Sequence, residues 1–158
     1  MVGETTTLIF RRRPKAVSGD MRIGWRLSVM LLMLYYSRGK KASLAKLHML
    51  NDAMRVNKSK DHLNKLLVEE QEVYSWSIRI EPAFARALDF LVSEGFADWG
   101  VANDRTTVKL TKSGISAAEA LSESEEIFLE EKKYLKVVAK KLTEQSVVSV
   151  LSASKVRE

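Results

Sequence analysis

The sequence predicts a mainly α-helical domain, interrupted by one small β-hairpin and closed by a long amphipathic helix. Three observations predict it. Apolar residues recur at helical spacing through most of the chain. Two short β-prone runs, Phe96 to Trp99 and Thr106 to Leu110, flank the polar stretch Gly100 to Arg105. Only 2 Pro and 7 Gly interrupt 158 residues, of which 46% are hydrophobic and 29% charged, a balance that belongs to a folded core and not to a disordered chain. The length suits one domain with an appended helix: residues 1–19 as an N-terminal strand and basic arm, 20–121 as the domain, and 122–158 as the C-terminal helix and tail.

Thr5 to Phe10 has β propensity, and Arg11-Arg12-Arg13-Pro14-Lys15 reads as an exposed basic arm that Gly19 ends. Asp20 is placed to cap a helix running to about Ser37, with Ile23, Leu27, Met30, Leu31 and Leu34 on one stripe. Its apolar residues wrap most of the way round, so it is expected at the centre of the fold. Arg38-Gly39-Lys40-Lys41 forms a basic turn, and Ser43 caps a second helix through about Met54 with Leu44, Leu47, Leu50 and Met54 in register. A third helical stretch, roughly Ser59 to Gln71, offers Leu63, Leu66 and Leu67. Val73 to Ile80 is an extended piece. Pro82 after Glu81 opens the next helix, since proline is tolerated at a first helical position; Phe84, Leu88, Leu91 and Val92 form its buried face and Gly95 ends it. After the hairpin, Thr111 caps a helix to about Leu121. Ser122 with Glu125 has the form of a capping box for a last helix to about Val150. Its apolar seam is Ile127, Tyr134, Leu135, Val138 and Leu142, with acids early and lysines late, as the helix dipole favours.

Helix, helix, a proline-started helix, then a hairpin leading into a helix is the order of a winged helix. The stretch Leu88-Asp89-Phe90-Leu91-Val92-Ser93-Glu94-Gly95-Phe96, followed by Val108-Lys109-Leu110-Thr111-Lys112-Ser113-Gly114, resembles the third helix and wing of bacterial winged-helix proteins. In DNA-reading members the helix ahead of the wing enters the major groove and needs cations and hydrogen-bonding side chains there. Here it holds Arg86, with Arg79 just before it, against Glu81, Asp89 and Glu94, a sign that phosphate repels. The wing is nearly neutral.

The net charge of +6 is unevenly placed. Residues 1–65 hold 14 Lys/Arg against 4 Asp/Glu, and residues 66–158 hold 12 against 16. A basic half is drawn to nucleic acid or to an acidic protein surface. The candidates for contact with phosphate are Arg11, Arg12, Arg13 and Lys15 on the arm, and Arg38, Lys40 and Lys41 in the first turn. The seam Ile127, Tyr134, Leu135, Val138 and Leu142 is the candidate partner interface.

For catalysis the sequence offers no motif. There is no cysteine, hence no thiolate nucleophile or thiolate zinc site. His48 and His62 stand apart from any second ligand at metal spacing, and the pairs Glu69-Glu70 and Glu125-Glu126 lie in charged helical stretches and read as solvated faces. No glycine-rich phosphate loop and no Gly-x-Ser-x-Gly is present. The expectation is a protein that is not an enzyme and carries no cofactor or metal. Trp25, Trp76 and Trp99 read as core or interface and not as base-stacking platforms. The longest apolar run, Leu27 to Tyr36, falls well short of the ~20 residues that cross a bilayer. Met1 to Phe10 lacks a basic stretch ahead of an apolar core, so a cytoplasmic protein without membrane contact is expected.

From Met21 to Leu121 the chain resembles the middle component of bacterial ABC three-component systems, including the small accessory subunit of Lamassu-type anti-phage and anti-plasmid defence. The residues that carry this are Arg22-Ile23-Gly24-Trp25-Arg26-Leu27 into an apolar helix, Ser43-Leu44-Ala45-Lys46-Leu47 with Leu50 and Asn51, and Leu91 to Phe96 ahead of Leu110 to Gly114. The resemblance implies a non-catalytic adaptor subunit. It would bind an SMC-like ABC ATPase with a coiled coil, couple DNA sensing to an effector subunit, and leave non-specific double-stranded DNA contact open. The basic arm has no counterpart in that family. The alternative from a different class is a winged-helix transcriptional regulator that binds specific DNA and dimerises through the last helix.

Overall fold

Ten residues from Leu27 onward are apolar but for Ser28, and they form the axis around which the rest of the chain is laid. In the computed structural model, which describes residues 23–68, Trp76 and residues 81–156, helix α1 spans Ile23–Tyr36. Every residue from Val29 to Leu34 is buried, so the helix is covered on all sides as its all-round apolarity requires. Helices α4 (Pro82–Ser93), α5 (Lys112–Glu123) and α6 (Leu129–Lys141) pack against it, and so does strand β3 (Arg105–Leu110). Trp25 fastens it to α6 through a hydrogen bond from its Nε1 to Glu131, 3.2 Å.

The chain leaves α1 through a 3-10 turn at Arg38–Lys40 in which Gly39 and Lys40 both adopt positive φ, 69° and 56°. It then enters a three-residue strand, β1 (Lys41–Ser43). Ser43 caps α2 (Leu44–Arg55), its Oγ accepting from the Lys46 amide at 3.1 Å. The capping hydroxyl satisfies one of the helix's orphan donors, worth about 1 kcal/mol. Helix α3 (Asn57–Val68) folds back on α2. Helix α4 begins at Pro82 and buries Phe84, Ala87, Leu88 and Leu91. Full burial of the Phe84 side chain alone favours the fold by about 1.5–3 kcal/mol. Gly95 at φ +78° turns the chain off α4, where a side chain would be strained, and into β2 (Ala97–Ala102).

Strands β2 and β3 pair antiparallel, and β3 also pairs antiparallel with β1, so the sheet order is β1-β3-β2. Ala42, Val108 and Trp99 align across the three strands on the face that meets the helices, while Lys41, Lys109 and Asp98 align on the other face. The Thr111 hydroxyl accepts from the Gly114 amide and so starts α5.

The C-terminal part departs from the expected single helix. Ser122 lies in the last turn of α5 and its hydroxyl is 2.7 Å from that of Tyr36, so it does not open a new helix. Phe128, at φ 52°, precedes α6. The helix then stops at Leu142, and Thr143 caps a separate α7 (Glu144–Val156) by accepting from the Ser146 amide. A local hydroxyl competing for amides at mid-stretch accounts for the break. The α5 terminus is held by Lys132, whose ammonium reaches the carbonyls of Leu121 and Ser124, a cation where the helix dipole is negative. The strand expected at residues 5–10, the basic arm, the Asp20 cap and the extended piece at 73–80 other than Trp76 lie outside the described residues. Among the described residues no helix is long and apolar enough to cross a membrane.

Candidate partner surface and basic cleft

The helix ahead of the hairpin turns its apolar side inward, which leaves Arg86, Asp89, Phe90 and Glu94 outward. Glu81, an acid at the start of this helix, is directed elsewhere. Its carboxylate takes hydrogen bonds from Arg26 of α1 and from Asn51 of α2 (3.0 Å), and pairs with Arg55 (3.0 Å). The exposed face is therefore less acidic than the sequence count implies, though still net negative by one charge. It also carries apolar surface: Phe90 is 45% exposed, and across Gly95 the hairpin presents Trp99 at 45% and Val101 at 77%. Trp99 and Val101 share one face of β2 with the buried Ala97, the core-side face, but lie beyond the reach of the core. Nothing in the letters of the sequence distinguished Trp99 from a buried tryptophan; its half-exposed position in the folded hairpin does.

The expected partner seam is corrected by the packing. Leu135, Val138 and Leu142 are buried inside this chain, because α6 lays that stripe against α1. Tyr134 is half-buried and donates to Asn64 of α3 at 3.2 Å, with the Lys60 ammonium 4.4 Å from its ring centre. Burial, with the charge of Asp61 adding to it, pushes its pKa up to about 12. Of the five seam residues only Ile127 is well exposed. Leu135 and Val138 do share a stripe on α6, with Ile127 before the helix and Leu142 at its end, but the face that stripe covers is the protein's own core.

The basic turn divides. Lys40 folds back, donating to the Tyr35 carbonyl at 2.9 Å with its ammonium over the Tyr35 ring. Arg38 and Lys41 stay exposed and face a cleft of about 810 Å³ between the β1 edge, the hairpin and the α6–α7 junction. Lys46 from α2, Arg105 from β3 and Lys140 from α6 bring the cations around it to five among the described residues, against the single carboxylate of Glu144. Arg11, Arg12, Arg13 and Lys15 lie outside the described residues.

Glu144 sits over the first turn of α2. One of its oxygens accepts from the Ser43 amide at 2.9 Å, and the other is 3.5 Å from Arg105 Nη1. Arg105 Nη2 also reaches the Ser43 hydroxyl at 3.4 Å. Lys46 is buried, donating to the Ala139 carbonyl at 2.7 Å. Burial lowers its pKa, the Glu144 carboxylate opposes this and the Arg38 charge adds to it. None of Lys46, Arg105, Lys140 or Glu144 was singled out from the sequence as facing this cleft, since they are far apart in the chain and meet only through the fold.

Two further polar groups lie in the interior. His48 packs on Phe84, ring centres 4.5 Å apart, and its Nδ1 has no hydrogen-bond partner among the described residues; burial lowers its pKa against the pull of Asp52 and Glu81. Trp76 donates to Asp52 and stacks on His62. Among the described residues no group of histidines and carboxylates is arranged to hold a metal ion.

Compared with models of known protein families, with curated proteins and with solved structures, the chain has no significant match.

Proposed function

We propose that this chain is a non-catalytic adaptor of winged-helix type whose docking face is the outward side of α4 with the adjoining hairpin. The order α1, β1, α2, α4, β2, β3, with β3 central in the sheet, supports the winged-helix reading, α3 being an addition between α2 and α4. The observation that carries the function is the character of that face. In a groove reader the helix and wing present cations and hydrogen-bonding groups. Here the helix presents Phe90 with Asp89 and Glu94, and the hairpin presents Trp99 and Val101. Half-exposed aromatic side chains with a net negative surround suit a protein partner, where such residues act as anchors, and disfavour a phosphate backbone.

The resemblance to the middle component of ABC three-component systems names the partner class: an SMC-like coiled-coil ATPase, acting with an effector subunit in defence against phage or plasmid DNA. Co-expression with the products of adjacent genes, followed by affinity capture, tests it. A coiled-coil ATPase is expected to co-purify and to be lost from a Phe90→Asp, Trp99→Asp double variant that keeps the wild-type circular dichroism. If no ATPase is retained and the isolated chain selects one sequence from a library of duplexes, the protein is a winged-helix transcriptional regulator instead.

A further inference from the structure

The cleft beside β1 is distinct from the α4 and hairpin face, and its chemistry is of the opposite sign. Among the described residues, five cations from five elements, Arg38, Lys41, Lys46, Arg105 and Lys140, line one concavity with a single carboxylate. Like charges gathered this way repel one another and raise the free energy of the empty cleft unless an anion is near. The chain supplies one anion itself. Glu144 reaches from the start of α7 to the Ser43 amide at the head of α2 and to Arg105, the position and the partners that suit an oxyanion at a helix N-terminus. One carboxylate leaves the lining four charges short of balance.

Among the described residues no aromatic side chain lines the cleft. A nucleotide base or a single strand would find no ring to stack on, so phosphate is what the lining can recognise. Arg38, Lys41 and Lys140 are exposed at its rim, open to a chain of phosphates running past and not only to one enclosed group. We propose that this cleft binds the phosphodiester backbone of duplex nucleic acid without reading its sequence, with the Glu144 carboxylate holding a phosphate's place when none is bound. This stands apart from the adaptor reading, which concerns another face, and either can fail without the other.

The test is fluorescence anisotropy of a random-sequence 20-base-pair duplex with the full chain, titrated over salt. All proteins carry Arg11, Arg12 and Arg13 changed to Ala so that the arm does not mask the cleft. Changing Arg38, Lys41 and Lys140 to Ala as well, all at the exposed rim, is expected to weaken binding and reduce the slope of log affinity against log salt by up to about three. Glu144→Gln is expected to tighten binding by about fivefold, as removal of one nearby like charge allows. A rim variant that melts as the wild type does and keeps its salt slope overturns the proposal, as does a Glu144→Gln protein that binds no tighter. Retention of tripolyphosphate with no retention of duplex overturns the nucleic-acid assignment and makes the cleft a site for free phosphates.

Discussion

The Arg26 guanidinium holds the Glu81 carboxylate with both terminal nitrogens, Nη2 to Oε1 at 2.5 Å and Nη1 to Oε2 at 3.1 Å. Arg26 is only 5% exposed in the first half of α1, and Glu81 stands at the N-cap of α4 without using its side chain as a cap. With Asn51 and Arg55 on α2 converging on the same carboxylate, one side chain ties three helices at the end of the core. A bidentate arginine pair of this kind fixes orientation as well as distance.

Glu81→Gln is therefore expected to destabilise the protein on the order of 3 kcal/mol, because it leaves a buried guanidinium without its counter-charge. Burial, the largest single influence on the Glu81 pKa, pushes it up. The hydrogen bonds from Arg26 and Asn51 and the charges of Arg26 and Arg55 outweigh it, so the group ends below its ordinary value of 4.5. A depressed folded-state pKa contributes stability that is present above the unfolded value and lost as pH falls through the folded one. Urea unfolding from pH 6 to pH 3 is expected to show wild-type stability falling below about pH 4.5, and the Glu81→Gln protein falling less steeply there. Parallel pH profiles for the two proteins would remove Glu81 as a source of acid sensitivity.

Gly114, in the first turn of α5, faces the backbone of Phe96. A Cβ at this position would overlap the Phe96 carbonyl oxygen and lie 2.9 Å from its carbon, with Leu110 Cδ2 at 3.1 Å. The same carbonyl accepts from the Thr111 amide at 3.1 Å, so the junction of α4, hairpin and α5 cannot open without losing that bond. Gly114→Ala is expected to cost on the order of 3 kcal/mol through overpacking against backbone. Gly24→Ala, where nothing lies within 4 Å of the added carbon, is expected to be neutral or stabilising by up to about 1 kcal/mol. Thermal melts of the two variants check this; equal melting temperatures would refute the close approach.

The helices were legible because their signals are local. Ser43 and Thr111 cap where a hydroxyl precedes an apolar repeat, Gly95 takes the positive φ that its place after Glu94 suggested, and the all-round apolarity of α1 correctly put it at the centre. What stayed hidden was non-local. Strand β1 is three residues directly after a basic turn, and only pairing with β3 makes it a strand. The α6–α7 break depends on one threonine cap that competes with a continuous apolar seam. That same seam could be read as a free face because a stripe states which residues are buried and not against what. The cleft and the Glu81 cluster gather residues from distant positions, and their charges only acquire meaning once they meet.

The hairpin turns in two residues, Asn103 and Asp104, both at positive φ (52° and 59°) between the paired Ala102 and Arg105. Two consecutive left-handed residues give the turn whose twist matches that of its strands, and Asn-Gly is the pair that adopts it at least cost. Asp104→Gly is expected to be neutral or stabilising, because the strain it removes offsets the added freedom of the unfolded chain. Asp104→Val places a β-branched side chain where L-residues are disfavoured by roughly 1–2 kcal/mol, and destabilisation of that size is expected in urea unfolding. Because Arg105 follows directly and reaches Glu144 and Ser43, the Val variant should also loosen the hairpin against α7. Amide exchange at Ser43 and Val108 reads that loosening directly. Faster exchange in the Val protein and unchanged exchange in the Gly protein is the expected pattern, and its reversal would mean that the turn does not set the register of the sheet.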